Sequence, residues 1–356
     1  MEQILLQIPV LGISTEQLIY LALAALAGGA FGAAIGALPA FCFTGFLVFL
    51  GEGIAYLQSE ITGTLPAADP GSIAVGITDT LGFGAAFGPH VSFAGGVAAS
   101  AYMGKKYPEM EPNSWDYHPG KVITEAYGTK PDIIAVGAIF GLVGWLVVAI
   151  LGGLGFPADN VAISVFLSAM LARVAFGYPL IGSPAGDSIF DVSPFEDGEE
   201  RPIADGGTMR METEVWLGHQ YRWPGVTLLG LFGGLLGAFL WVETGTFFLG
   251  YGISAMSLLF LNLGVEKIPV THHITLLGSV GGGVAAAMVG GPVAALIGGA
   301  LFGALSAIIG EITERIFYAH SGTHVDPPAM AIAVMMIGVG FLYVAGLIPV
   351  SGYLGL

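Results

Sequence analysis

Two histidines stand in matching company. His90-Val91-Ser92 and His273-Ile274-Thr275 each place a hydroxyl two residues after an imidazole. Gly88-Pro89 precedes the first, and Pro269 lies four residues before the second. A helix that starts after such a break directs unsatisfied N–H groups and partial positive charge into the protein. Two such ends meeting inside a bundle would hold a small anion or a neutral polar solute. His90, Ser92, His272, His273 and Thr275 are then the binding groups, and Gly88, Pro89 and Pro269 the breaks. An imidazole can also take up a proton near neutral pH. The plainer role of each histidine is to cap a helix or bond a backbone carbonyl.

Three charged residues fall in otherwise apolar runs, where a charge is costly and tends to mark a pathway. Glu52 lies in Leu50-Gly51-Glu52-Gly53, Asp79 in an irregular stretch before Gly88-Pro89, and Arg173 six residues before Pro179. The two acids could bind a cation or relay a proton; alternatively Glu52 reaches the interface and Asp79 lies in a loop. Arg173 either snorkels to the headgroups or supplies a fixed counter-charge. A metal centre is not expected. Adjacent His272 and His273 diverge on a helix, the other histidines fall mostly in loops, and Cys42 is the only cysteine. No cofactor motif is present: the glycine runs lack the Lys-Ser/Thr of a phosphate loop and suit close helix packing instead.

The elements that must position these residues follow from composition. The chain is 54% hydrophobic and 10% charged with 57 glycines, and its mean hydropathy is +0.80. Soluble domains carry about 25% charged residues, so the class is a polytopic membrane protein. A formal charge of -16 excludes nucleic acid as a partner. Acidic loops suit water-facing parts that meet high salt.

Ten segments approach the roughly 20 apolar residues that cross a bilayer: 16–37, 40–58, 74–103, 131–153, 158–178, 224–242, 246–264, 268–289, 291–312 and 328–349. The third is too long for one span, and residues 72–88 read as a broken or re-entrant piece. No Lys or Arg precedes Lys105, so the first segment lacks the basic start of a secretory signal and reads as a true span. Across ten alternating spans, all 10 Lys and Arg fall on one side. The positive-inside rule makes that side cytoplasmic, with both termini outside the cell membrane.

The halves echo each other in order. Gly32 to Ala37 resembles Gly233 to Ala238, His90 to Gly95 resembles His273 to Gly278, and Val161 to Val165 resembles Met330 to Val334. Five spans per half give an inverted-topology repeat, the plan of many secondary transporters. The expected organisation is a first repeat over 1–180 with a cytoplasmic loop at 104–130, an acidic linker over 181–223, and a second repeat over 224–356. The fold expected is all-α, with about ten transmembrane helices, some broken. The function expected is a permease or channel for a small solute or ion, with its site where the repeats meet. Two other readings stay open: a non-transporting subunit of a membrane complex, and an intramembrane His/carboxylate enzyme. The bilayer is the expected partner, and glycine-rich faces would also suit packing between copies of the chain.

Overall fold

The computed structural model describes residues 7–8, 11–63, 76–110, 116–202 and 209–356. Its helices are α1 (Thr15–Ile35), α2 (Ala37–Thr62), α3 (Ser92–Lys106), α4 (Pro131–Gly153), α5 (Asn160–Phe176), α6 (Trp223–Thr244), α7 (Leu249–Asn262), α8 (His272–Val289), α9 (Pro292–Phe317) and α10 (Pro327–Val344). Two small antiparallel ribbons pair Gln7–Ile8 with Ile13–Ser14 and Glu200–Pro202 with Met209–Met211.

Local sequence sets the helix starts. Ser14 and Gln17 form a reciprocal cap on α1. Asp159 and Asp326 cap α5 and α10, and prolines open α4, α6, α9 and α10. Gly36, at φ +96°, turns α1 directly into α2, and a Cβ there would press on the Glu125 carbonyl.

Among the described residues, seven helices are long and apolar enough to cross a membrane: α1, α2, α4, α6, α8, α9 and α10. Their outward faces are apolar. Val293, Ile297, Leu301 and Leu305 form an exposed stripe at i+4 spacing along α9, which water would disfavour and lipid accepts. The protein is therefore a membrane-embedded helical bundle. Each of the ten expected segments contains one helix, but α3, α5 and α7 have only 15, 17 and 14 residues. Segment three breaks where Gly88-Pro89 predicts. A π-helical turn covers Gly76–Gly82, and α3 begins only at Ser92. Residues 72–75 of the expected re-entrant piece lie outside the described residues.

Glycines let the helices touch backbone to backbone. Gly29 on α1 meets the carbonyl of Gly137 on α4 and lies against Gly95 on α3, while Gly234 on α6 meets the carbonyl of Gly299 on α9 and lies against Gly278 on α8. Gly32 sits under the Ser92 carbonyl, and Gly237 under that of Thr275. Between these two triplets, α2 crosses α7, with Gly45 against Ala255 and Gly252 against Phe49.

The long loops knit together over one end of the bundle. Lys121 pairs with Glu214, His324 N–H donates to the Gly120 carbonyl, and Gln220 bonds Val270 in both directions. Arg315 donates to the carbonyls of Phe190 and Tyr221. The described residues of the acidic 181–223 stretch contribute to this packed loop cover.

Candidate functional site

A cavity of about 470 Å³, furnished with aromatic and acidic side chains, lies among α2, α3, α5, α7, α8 and α10. Its walls are aromatic. Phe41 on α2 packs against Phe93, Tyr251 and His272, at ring separations of 5.7, 6.0 and 4.8 Å. Tyr251 in turn faces His272 at 5.5 Å and Phe83 at 5.6 Å.

Its ends are acidic. The Asp159 carboxylate accepts the Ala162 N–H at 2.8 Å and the Tyr353 hydroxyl at 2.7 Å. Asp326 accepts the Ala329 N–H at 2.9 Å and lies 3.3 Å from His324 Nε2. Helices α5 and α10 run antiparallel: Arg173 near the end of α5 bonds Thr323 just before α10, while Phe156 before α5 meets Phe341 late in α10. The two capping aspartates therefore stand at opposite ends of the cavity, both among its lining residues.

Lys121 also lines the cavity, but its charge is spoken for. Its ammonium lies 2.6 Å from Glu214 and 4.1 Å from the Tyr318 ring, with the side chain fully buried. Burial lowers the Lys121 pKa to about 8 against the upward pull of Glu214. Burial likewise pushes the Glu214 carboxyl up, against the opposing effect of Lys121.

Of the residues singled out in the sequence, only His272 and Pro89 line this cavity. His90, Ser92, His273 and Thr275 are all buried elsewhere. The His90 ring folds over Gly88. Ser92 donates to the Phe87 carbonyl, and Thr275 lies within hydrogen-bonding distance of the His272 carbonyl and Ser254. Their hydroxyls thus serve the backbone at the helix breaks. His273 instead faces α9, sharing a small void with Glu311 and Glu314.

Glu52 is buried, accepts the Thr78 hydroxyl at 2.9 Å and bonds Thr246 and the Phe248 backbone. It ties α2 to the π-helical turn and to the start of α7. Asp79 lies exposed on that turn. Arg173 neither snorkels nor meets a carboxylate. It is fully buried and donates to the Thr323 hydroxyl and to the carbonyls of Leu180, Phe317 and Thr323, stapling two loops together. Pro269 lines a separate hollow with His219, Arg222 and Lys267 beneath the loop cover. Among the described residues, no three His, Cys, Asp or Glu side chains converge as a metal site.

Sequence reasoning missed Asp159, Tyr251 and Asp326. The signal available was the shared Asp-x-x-Ala at the starts of α5 and α10, which reads as an ordinary helix cap.

The chain matches the family of unknown function DUF7973 over residues 10–356. It belongs to that family. No curated protein and no solved structure matches the chain. Membership in DUF7973 brings no activity with it, so function has to be argued from the cavity.

Proposed function

We propose that this DUF7973 protein is a membrane permease or channel for a small solute. In this reading α1–α5 and α6–α10 are two inverted five-helix halves, and the aromatic cavity between them is the solute site. One observation carries the reading: the cavity is lined in pairs. Phe41 with Phe248, Pro89 with His272, Phe93 with Leu276, Asp159 with Asp326, Ala162 with Ala329 and Val165 with Ile332 all contribute to its wall. Each pair occupies corresponding places, counted from the Gly45/Gly252 crossing, the His90/His273 motif or the capping aspartates; the last register is shifted by two residues from the sequence echo of Val161 with Met330.

Helix partnerships support the same plan. Helix α1 packs on α3 and α4 as α6 packs on α8 and α9, while α2 crosses α7 and α5 meets α10. A site on the pseudo-two-fold axis, between antiparallel short helices, is where an inverted repeat exposes one solute alternately to both faces. The loop cover carries the basic residues and so faces the cytoplasm, with both termini outside the cell membrane. His272 is the one retained sequence candidate for solute contact.

The test is flux. Purified protein in liposomes should speed shrinkage or re-swelling for some members of a panel of small osmolytes, relative to protein-free vesicles. Ala162→Trp or Ala329→Trp, which fill the cavity, should abolish that flux while the protein remains monodisperse. Flux that persists in both filled variants, or none with any solute, would sink the reading.

A further inference from the structure

We infer that the cavity selects organic ammonium compounds, with Asp326 and Asp159 as charge partners and the Phe41–Tyr251–His272 cluster as the wall against which the cation rests. This names the solute class for the site proposed above and rests on that reading.

The charge balance points this way. Among the described residues, three carboxylates line the cavity, those of Glu125, Asp159 and Asp326, against a single Lys or Arg side chain, Lys121. Lys121 is already paired with Glu214 and covered by the Tyr318 ring. An anion would find no free cation here. Of the helix starts at the cavity, α5 and α10 carry their own capping carboxylates, which offset the positive ends of those dipoles, while α3 and α8 have no side-chain cap. The excess of carboxylates over free cations in the lining is what reverses the preference for anions suggested by the helix breaks.

Each capping aspartate keeps accepting capacity. A carboxylate offers about four lone-pair sites; Asp159 accepts from the Ala162 and Val161 backbone and the Tyr353 hydroxyl, and Asp326 has contacts with Ala329 and His324, so each retains an accepting site. A second feature is independent of the acids. His272 lines the cavity, is only 4% exposed, and its Nδ1 has no hydrogen-bond partner. The Nδ1 atoms of His90, His273, His320 and His324 are likewise unpaired among the described residues, and of these His324 also lines the cavity; a buried unpaired nitrogen at the wall calls for an explanation, and an ammonium N–H supplies one. Aromatic faces attract such a cation and solvate its hydrocarbon portion. The volume, about 470 Å³, falls in the usual range for small-molecule sites.

A matched set of probes isolates charge from shape: 2-phenylethylammonium, 2-phenylethanol and phenylacetate, with cyclohexylammonium as a second cation. Binding to detergent-purified protein is read by titration calorimetry and by the shift in melting temperature. The two ammonium compounds should bind and stabilise, with phenylacetate inert. Asp326→Asn and Asp159→Asn keep the helix caps, since Asn caps as well as Asp, so unliganded stability should hold. Each should weaken the ammonium compounds about tenfold, as expected for losing a charged hydrogen-bond partner, and leave any binding of 2-phenylethanol within about twofold.

Phenylacetate or 2-phenylethanol binding as tightly as 2-phenylethylammonium would overturn the assignment. So would unchanged affinity in both Asn variants, or no binding of either cation. Flux separates this from the underlying reading. Passage of anionic or neutral solutes alone, blocked by Ala329→Trp, keeps the permease and overturns the ammonium site. Ammonium binding without flux of any solute does the reverse.

Discussion

At the scale of single residues, the buried charges are held by partners rather than tolerated in isolation. Lys121 and Glu214 form a wholly buried pair, and removing one member of such a pair strands the other in a low-dielectric interior. Lys121→Met alone should cost about 3–5 kcal/mol. The double change Lys121→Met/Glu214→Leu should recover most of that, because an apolar pair often replaces a buried ion pair at little cost. Thermal melts of the three variants in one detergent check this, and a double variant no better than the single would refute it. The pH dependence has a definite sign. Folded Lys121 gives up its proton at about 8, whereas the ordinary lysine value is 10.5. Between those values the unfolded chain holds a proton that the folded one lacks, so this group adds stability as pH rises and withdraws it as pH falls through about 8. The melting temperature of the wild type relative to the double variant should therefore climb from pH 8 towards 10. A constant difference would contradict the assignment.

At the scale of helices, the glycines decide how closely elements approach. Gly29→Leu and Gly234→Leu each force a side chain into a neighbouring carbonyl, from α4 and α9 respectively. Both should destabilise by at least about 1–3 kcal/mol, the usual cost of overpacking. Gly53→Leu, with open space around its Cα, should be nearly neutral. Fluorescence size-exclusion after a heating series ranks the three, and equal losses would deny any special role to the close contacts. These contacts also bear on the proposed correspondence between halves. Gly32 matches Gly237, both lying beneath the carbonyl of the hydroxyl residue two after a histidine. The sequence echo alone pairs Gly32 with Gly233, one helical turn away. Repeated Gly/Ala runs match themselves at several registers, and only a packing partner distinguishes them.

At the scale of the whole molecule, the arrangement of the loops makes a prediction about sidedness. Cys42 is the only cysteine and is buried. In a Cys42→Ser background, Leu154→Cys lies exposed at the end of the bundle away from the loop cover, and Glu199→Cys lies exposed within the cover. A membrane-impermeant maleimide added to intact cells should label Leu154→Cys and spare Glu199→Cys until the membrane is opened. Labelling in the opposite order would invert the topology.

The amino-acid sequence by itself determined that this is a helical membrane protein. Hydropathy and segment length are local properties, and each expected apolar segment does hold one helix, broken at Gly88-Pro89 where proline removes a donor. The caps at Asp159 and Asp326 are equally local, settled within four residues, although neither aspartate stood out among the candidate residues. Which face of each helix lines a cavity was beyond the sequence. Uniformly apolar helices such as α4 and α10 show no polar stripe to orient them, since lipid and protein interior are equally apolar. Tertiary packing alone turned His272 towards the cavity and His273 towards α9, adjacent residues on different helix faces. It likewise brought two distant capping aspartates to opposite ends of one aromatic chamber, a placement of residues 167 positions apart in the chain (326 minus 159) that no local pattern records.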